Sequence, residues 1–251
     1  MSAGIGLWLR SALFEAGRMP LTVIWSTLSL LTAPFPFRWR YVFISQWARL
    51  TLGWLKLTCG IDVQLSGAGH LRGGPFVVMC KHQSAWETLY LQRLLVPQVW
   101  VLKRELLWLP FFGWALALAR PVAVDRRNGR SAAMKSLLAQ GKSRLDDGIS
   151  IIVFPEGTRI APGERGTYHV GGALLATHTG YPVLPIAHNA GTLWPKNGFL
   201  KYPGRVQITI GAPIAVAGRS AKEVLAETER WIETTVAALP PARLTPTNRD
   251  T

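Results

Sequence analysis

PFVVMCKHQSAWETLYLQRLL, residues 75–95, decides how the rest of this chain is read. Gly73, Gly74 and Pro75 supply a turn, the apolar run to Cys80 reads as a buried strand, and SAWETLYLQRLL from Ser84 reads as a helix. A strand feeding a helix is the repeating step of an α/β fold. The link holds His82, and Glu87 follows five residues later. With His82 just ahead of the helix and Glu87 one turn inside it, the carboxylate reaches the imidazole Nδ1, fixes the tautomer and leaves Nε2 as a base. Ser84 reads as the cap of this helix. The same spacing also fits a surface histidine beside a helix-capping glutamate, so other residues must decide.

Outward from this stretch the alternation continues. DVQLSG (62–67), VWVLK (99–103), PVAVD (121–125), ISIIVF (149–154), YPVLPIAH (181–188) and RVQITIG (205–211) read as strands. ELLWLPFFGWALAL (105–118) is an apolar helical or looping segment broken by Pro110. Met134, Leu137, Leu138, Gly141 and Leu145 fall on one helical face, and Ser220 with Glu223 forms a capping box opening a helix toward Leu239. The expectation is an α/β domain over residues 59–240, a mixed and largely buried sheet flanked by helices, followed by a flexible tail at 241–251.

The first 58 residues differ in texture. Met19 to Phe37 is a run of 19 uncharged residues, at the low end of the ~17 to 25 that span a bilayer, but it contains Ser26, Thr27, Ser29 and Thr32 and ends in Pro34 and Pro36. YVFISQWARLTLGWLKL (41–57) gathers Ser45, Arg49 and Lys56 on one narrow stripe and leaves most of the remaining surface apolar. Two such helices joined at an arginine-flanked, proline-containing turn predict a monotopic hairpin dipping into one leaflet, in preference to a single span; a cleaved signal peptide fits worse. The rival is a pair of core helices in a soluble domain.

Lys and Arg outnumber Asp and Glu by 28 to 14, so anionic partners are expected. With hydrophobic residues at 49%, 11 tryptophans and charged residues at only 17%, a phospholipid surface fits better than nucleic acid, for which there is neither a reading helix nor a stacking platform. Cys59 and Cys80 lie in or beside apolar runs, without a His or Cys at metal-ligand spacing, so no metal or cofactor site is expected.

Three further blocks bear on chemistry. Phe154-Pro155-Glu156-Gly157-Thr158-Arg159 follows a strand, where α/β sheets bind ligands, and Arg159 suits phosphate. Lys103 and Arg104 close another strand beside a greasy segment, a combination suited to an anionic amphiphile. Val183 to Ile186 runs into His188 and Asn189.

In this order and spacing the blocks resemble the glycerolipid acyltransferase family that includes the 1-acyl-sn-glycerol-3-phosphate acyltransferases, over residues 60 to 214. The resemblance implies acyl transfer from acyl-CoA or acyl carrier protein to the sn-2 hydroxyl of lysophosphatidate at a membrane. The implied setting is the bacterial inner membrane, with the catalytic domain facing the cytoplasm. It also implies His82 as general base, Glu87 as its orienting acid, and Glu156, Gly157, Thr158 and Arg159 as the acceptor's glycerol-phosphate site. Lys103, with Arg104, would assist the thioester oxyanion or an anionic group, and Leu184 to Ile186 would line the acyl or acceptor site. The acid is most often Asp in the family and is Glu87 here; a position commonly Lys in bacterial relatives is His169. Two alternatives stand beside this reading: an acyltransferase for another lysolipid, such as lyso-ornithine lipid, and a non-catalytic basic membrane-binding protein.

Overall fold

The computed structural model describes residues 4–125, 127 and 129–242. Of the tail anticipated at 241–251, residues 243–251 lie outside the described residues. The chain opens with two long helices, α1 (Ile5–Leu30) and α2 (Phe37–Cys59), packed as a hairpin about the turn holding Pro34 and Pro36. The first is longer than its charge-free run suggests, because Ile5 to Arg18 joins it and Pro20 lies inside it. Tryptophans staple the pair: the indole N–H of Trp25 donates to Phe43 O at 3.0 Å, that of Trp47 to Thr22 Oγ1 at 3.1 Å, and that of Trp54 to Phe14 O at 3.1 Å. Gly17 makes room for the last, since a Cβ there would sit 2.3 Å from the Trp54 nitrogen. Ser45 faces inward and is buried, whereas Arg49 and Lys56 are exposed, so the polar stripe expected on α2 is divided between two faces. Among the described residues no helix is long and apolar enough to cross a membrane, which removes the single-span alternative for them.

Gly60 turns the chain out of α2 at φ 66°, a left-handed conformation that a side chain would disfavour. A sheet follows, built from β1 (Ile61–Ser66), β2 (Val77–Cys80), β3 (Gln98–Lys103), β4 (Val122–Val124), β5 (Ser150–Val153), β6 (Val183–His188) and β7 (Gly204–Ile210). The strand order is β1-β7-β6-β2-β5-β3-β4, all pairs parallel except β6 with β7. The mixed, buried sheet read from the sequence is therefore present. Helix α3 (Trp86–Leu94) and the hairpin cover one face; α5 (Gly129–Asp146), α6 (Gly171–Thr179) and α7 (Ala221–Ala238) cover the other. The segment broken at Pro110 becomes a short 3-10 turn at 104–108 and then α4 (Phe112–Leu118), which packs on α1. The hairpin is part of the core on its side: Phe14, Ala48, Leu52 and Leu55 are buried with Val78, Cys80 and Ile186 of the sheet.

Because β2, β3 and β5 run parallel, Cys80, Lys103 and Val153 end at one edge of the sheet. The loops after them meet there, as ligand-binding loops of open α/β sheets do.

Candidate active site

Side chains alternate along β2. Val77 and Met79 pack among α5, α6 and α7, while Val78 and Cys80 pack toward α3 and the hairpin. The chain leaves the strand with Lys81 buried and His82 only partly so, stacked on the Phe154 ring at 3.9 Å between centroids. The His82 Nδ1–H donates to Glu87 Oε1 at 2.7 Å. The same oxygen accepts the amide N–H groups of Gln83 and Ser84, at 3.0 and 2.9 Å, so the loop leading into α3 grips a carboxylate of the helix's first turn. Burial works to raise the Glu87 pKa, but the facing His188, the His82 bond and the Ser84 amide outweigh it and hold the carboxyl below its usual value. Its other oxygen has no hydrogen-bond partner and lies 3.8 Å from His188 Nε2.

His188 is fully buried, which lowers its pKa and keeps it neutral. Its Nδ1 accepts from the Ala190 amide at 3.2 Å, so Nε2 carries the proton and donates to Lys81 O at 2.8 Å. It thereby presents the positive edge of a neutral ring to Glu87. The backbone of His82 is fixed from the opposite side: its N–H donates to Glu156 Oε2 at 2.9 Å and its carbonyl accepts from Ile160 N–H at 2.8 Å. Of the four polar atoms of His82, only Nε2 has no partner among the described residues.

His82 opens onto a cavity of about 1100 Å³. Phe154, Gly157, Arg159, His169 and Lys103 also line it, and its remaining wall is mostly apolar, drawn from the hairpin, β3, α4 and α5. Arg159 borders a second, smaller cleft as well, of about 480 Å³, beside Arg18, Asn197 and Lys201. Gly157 has φ 66°, and a Cβ there would press on the His169 ring at 3.4 Å. An imidazole base, a cation and a long apolar cavity together suit an oxygen nucleophile on an anionic amphiphile.

Not every residue named from the sequence lies here. Glu156 is not in contact with the cavity: its side chain is fully buried and both oxygens are engaged, by Lys81 Nζ and the His82 amide. A carboxylate so placed cannot hold a phosphate, and its function is beneath the site. Arg104 is exposed beyond β3 and does not line the cavity, whereas Lys103 does. Thr158 is exposed, within 3.4 Å of Lys196 Nζ. Leu184 to Ile186 is buried in the centre of the sheet and lines neither cavity. Ser84 is not the helix cap, a position held by Ala85; its hydroxyl donates to Trp194 O at 2.7 Å and accepts from the Trp86 amide. Lys81, Tyr168 and Glu233 were not singled out as functional from the sequence, and His188 was named only as the polar end of a strand. The alternation Val77, Met79, Lys81 was the one local sign that the lysine points into the core. Cys80 is an inert neighbour, its thiol pushed well above its usual pKa by burial.

Comparison with known proteins agrees with this chemistry. Residues 62–189 match the protein-family model described as Acyltransferase. A 1-acyl-sn-glycerol-3-phosphate acyltransferase of Pseudomonas aeruginosa is 43% identical over 238 residues, 93% of this chain and 92% of that protein. The human 1-acyl-sn-glycerol-3-phosphate acyltransferase alpha is 32% identical over 72% of this chain and 65% of its own length. Among solved structures, the crystal structure of the 1-acyl-sn-glycerophosphate (LPA) acyltransferase, PlsC, from Thermotoga maritima aligns with a TM-score of 0.75, covering 93% of this chain and 97% of that one. At 22% sequence identity that likeness speaks for the fold alone.

Proposed function

This chain belongs to the acyltransferase family, and from that premise we propose that it acylates the sn-2 hydroxyl of a 1-acylglycerol 3-phosphate, giving phosphatidate, with His82 as the base. The observation that carries the reading is the His82–Glu87 pair, whose unpartnered Nε2 sits at a large apolar cavity with Arg159 on its border. His82 Nε2 takes the hydroxyl proton as the oxygen attacks the thioester carbonyl of the donor. The C–O bond forms, the C–S bond breaks, and the imidazolium returns its proton to the departing thiolate. Glu87, held ionised by the facing His188, the His82 bond and the Ser84 amide, stabilises the transient imidazolium; base catalysis of this kind supplies ~10² to 10⁴ in rate. A direct transfer fits the surroundings, since the Ser84 hydroxyl is committed to Trp194 O and the Cys80 thiol is buried.

Arg159 holds the acceptor phosphate and so converts binding into positioning of the hydroxyl, while an acyl chain occupies the apolar cavity. The hairpin rests on a phospholipid leaflet. Its outer face exposes Ile24, Leu31 and Trp39 at 57%, 71% and 74%, far more apolar surface than two helices in water would carry. The setting we propose is the cytoplasmic face of a bacterial inner membrane, with acyl-CoA or acyl carrier protein as donor.

The test is turnover of lysophosphatidate, lyso-ornithine lipid and other lysolipids, each with both donors. Lysophosphatidate is expected to react, and His82→Ala to abolish the reaction in a folded, vesicle-binding protein; wild-type turnover in that variant would overturn the assignment of the base. Arg159→Ala is expected to lower kcat/KM for lysophosphatidate by ~10 to 100-fold, the loss of a charged hydrogen bond. An equal loss with a zwitterionic acceptor would reassign Arg159 to the fold.

A further inference from the structure

Lys81, the residue before the base, has a side chain only 1% exposed. Its Nζ donates to Glu156 Oε1 at 2.6 Å and to Glu233 Oε1, on α7, at 2.8 Å. Glu156 turns its second oxygen to the His82 amide. The Glu233 oxygen accepts a second donor, the Tyr168 hydroxyl, at 2.7 Å. Tyr168 precedes His169, whose amide donates to Pro155 O and whose ring lies beside Gly157. One oxygen of α7 therefore holds the residue ahead of each of the two histidines that line the cavity.

Two carboxylates around one ammonium are a costly way to join a helix to a sheet. Burial, with Glu233 adding to it, pushes the Glu156 pKa up even beside Lys81. Apolar side chains of similar volume hold such an interface as well or better. They cannot grip an amide N–H, and that is what Glu156 does for His82.

We propose that Glu156 and Glu233 are positioning residues for acyl transfer: Glu156 fixes the backbone of His82, and Glu233, acting through Lys81, fixes Glu156. This rests on His82 being the base. It extends the reaction's machinery to α7, outside residues 62–189 of the family match.

Two isosteric substitutions separate this role from simple charge balance. Glu156 uses both oxygens as acceptors, so in Glu156→Gln the new NH₂ must face either the Lys81 ammonium or the His82 amide, and one contact is lost. Glu233 uses one oxygen for both donors and is 19% exposed, so in Glu233→Gln the amide keeps both contacts and turns its NH₂ outward. Glu156→Gln is expected to lower kcat by ~10 to 100-fold with both KM values within about threefold, the signature of misplacement without lost binding. Glu233→Ala is expected to behave alike, and Glu233→Gln to recover kcat to within about threefold of wild type.

Carbethoxylation of His82 by diethylpyrocarbonate, read by peptide mass with the exposed His178 as internal reference, gives a readout that needs no substrate. His82 should label at a changed rate in Glu156→Gln and Glu233→Ala, and as in wild type in Glu233→Gln. Equal effects of the two glutamine variants would overturn the proposal, as would full activity of Glu156→Gln. So would a kcat loss that matches the unfolded fraction by circular dichroism while His82 labels normally. If Glu233→Ala does not fold, the glutamine pair decides. Absence of wild-type turnover on lysophosphatidate would instead count against the proposed reaction, and the labelling would still judge the network.

Discussion

The two faces of the sheet each bring one buried carboxylate to His82, and they hold it by opposite means. On the face covered by the hairpin and α3, Glu87 bonds the imidazole ring, keeps one oxygen without a partner, and has its pKa lowered. On the face covered by α5, α6 and α7, Glu156 bonds the backbone, spends both oxygens, and has its pKa raised. The outer surfaces differ in the same sense: the hairpin exposes large apolar side chains, whereas α5 and α7 expose Lys135, Lys142, Lys222 and Arg230. One face holds the His82 ring and exposes apolar side chains; the other holds the His82 backbone and exposes cations.

The sharpest way to break this contrast is Glu87→Gln. The amide can keep the neighbouring N–H contacts but not the charge that supports an imidazolium, and kcat should fall by ~10³ to 10⁴. A fall below about tenfold in steady-state assays would mean that orientation alone suffices, making the two carboxylates equivalent in kind. Next in size is the outer surface. Ile24→Glu with Leu31→Glu should reduce co-sedimentation with anionic vesicles by about tenfold or more, since each buried apolar side chain contributes roughly 1.5 to 3 kcal/mol. Ala139→Glu, on the exposed side of α5, should leave vesicle binding unchanged.

A third comparison uses urea unfolding from acid to neutral pH. The lowered pKa of Glu87 means its stabilisation is present above the ordinary carboxyl value of 4.5 and is lost as pH falls through the folded value. For Glu156 the fold binds its proton more tightly than the unfolded chain does, so stability falls as pH rises from 4.5 through the raised value. Glu87→Gln should therefore flatten the rise of stability on the acid side, and Glu156→Gln should remove a decline on the neutral side. Equal slopes in both variants would break the contrast. The smallest effect is expected from Ser220→Ala at the start of α7, where the capping box joins Ser220 and Glu223. About 1 kcal/mol of stability should be lost, with kcat unchanged.

The line between what was legible and what was not follows the same division. His82 and Glu87 are five residues apart, so local spacing offered the pair, and the resemblance carried by the other blocks decided for it. The strands were readable because β2, β5 and β6 are mostly apolar and buried at every position, as strands covered on both faces are. Helix α6 escaped notice because GGALLATHT has no polar face to give a period, and Ser45 was misplaced because a hydroxyl on an apolar helix reads as solvent-facing until a cavity is known to lie inside. Glu156 was assigned to the phosphate site by the resemblance of the whole 154–159 block, yet its side chain is buried against Lys81 while Arg159 borders the cavity. Its partners are the His82 amide and Lys81, and Lys81 is shared with Glu233, 77 residues beyond Glu156; no local pattern announces a contact that only the stacking of α7 on the sheet creates.

The indole staples of the hairpin have a consequence for spectroscopy. Trp25, Trp47 and Trp54 each donate from one helix to the other, and the Trp25 ring is stacked on Phe43 at 4.9 Å. Their emission thus depends on the two helices staying closed. A red shift absent from variants with phenylalanine at these positions would record the hairpin parting while the sheet domain still holds its fold.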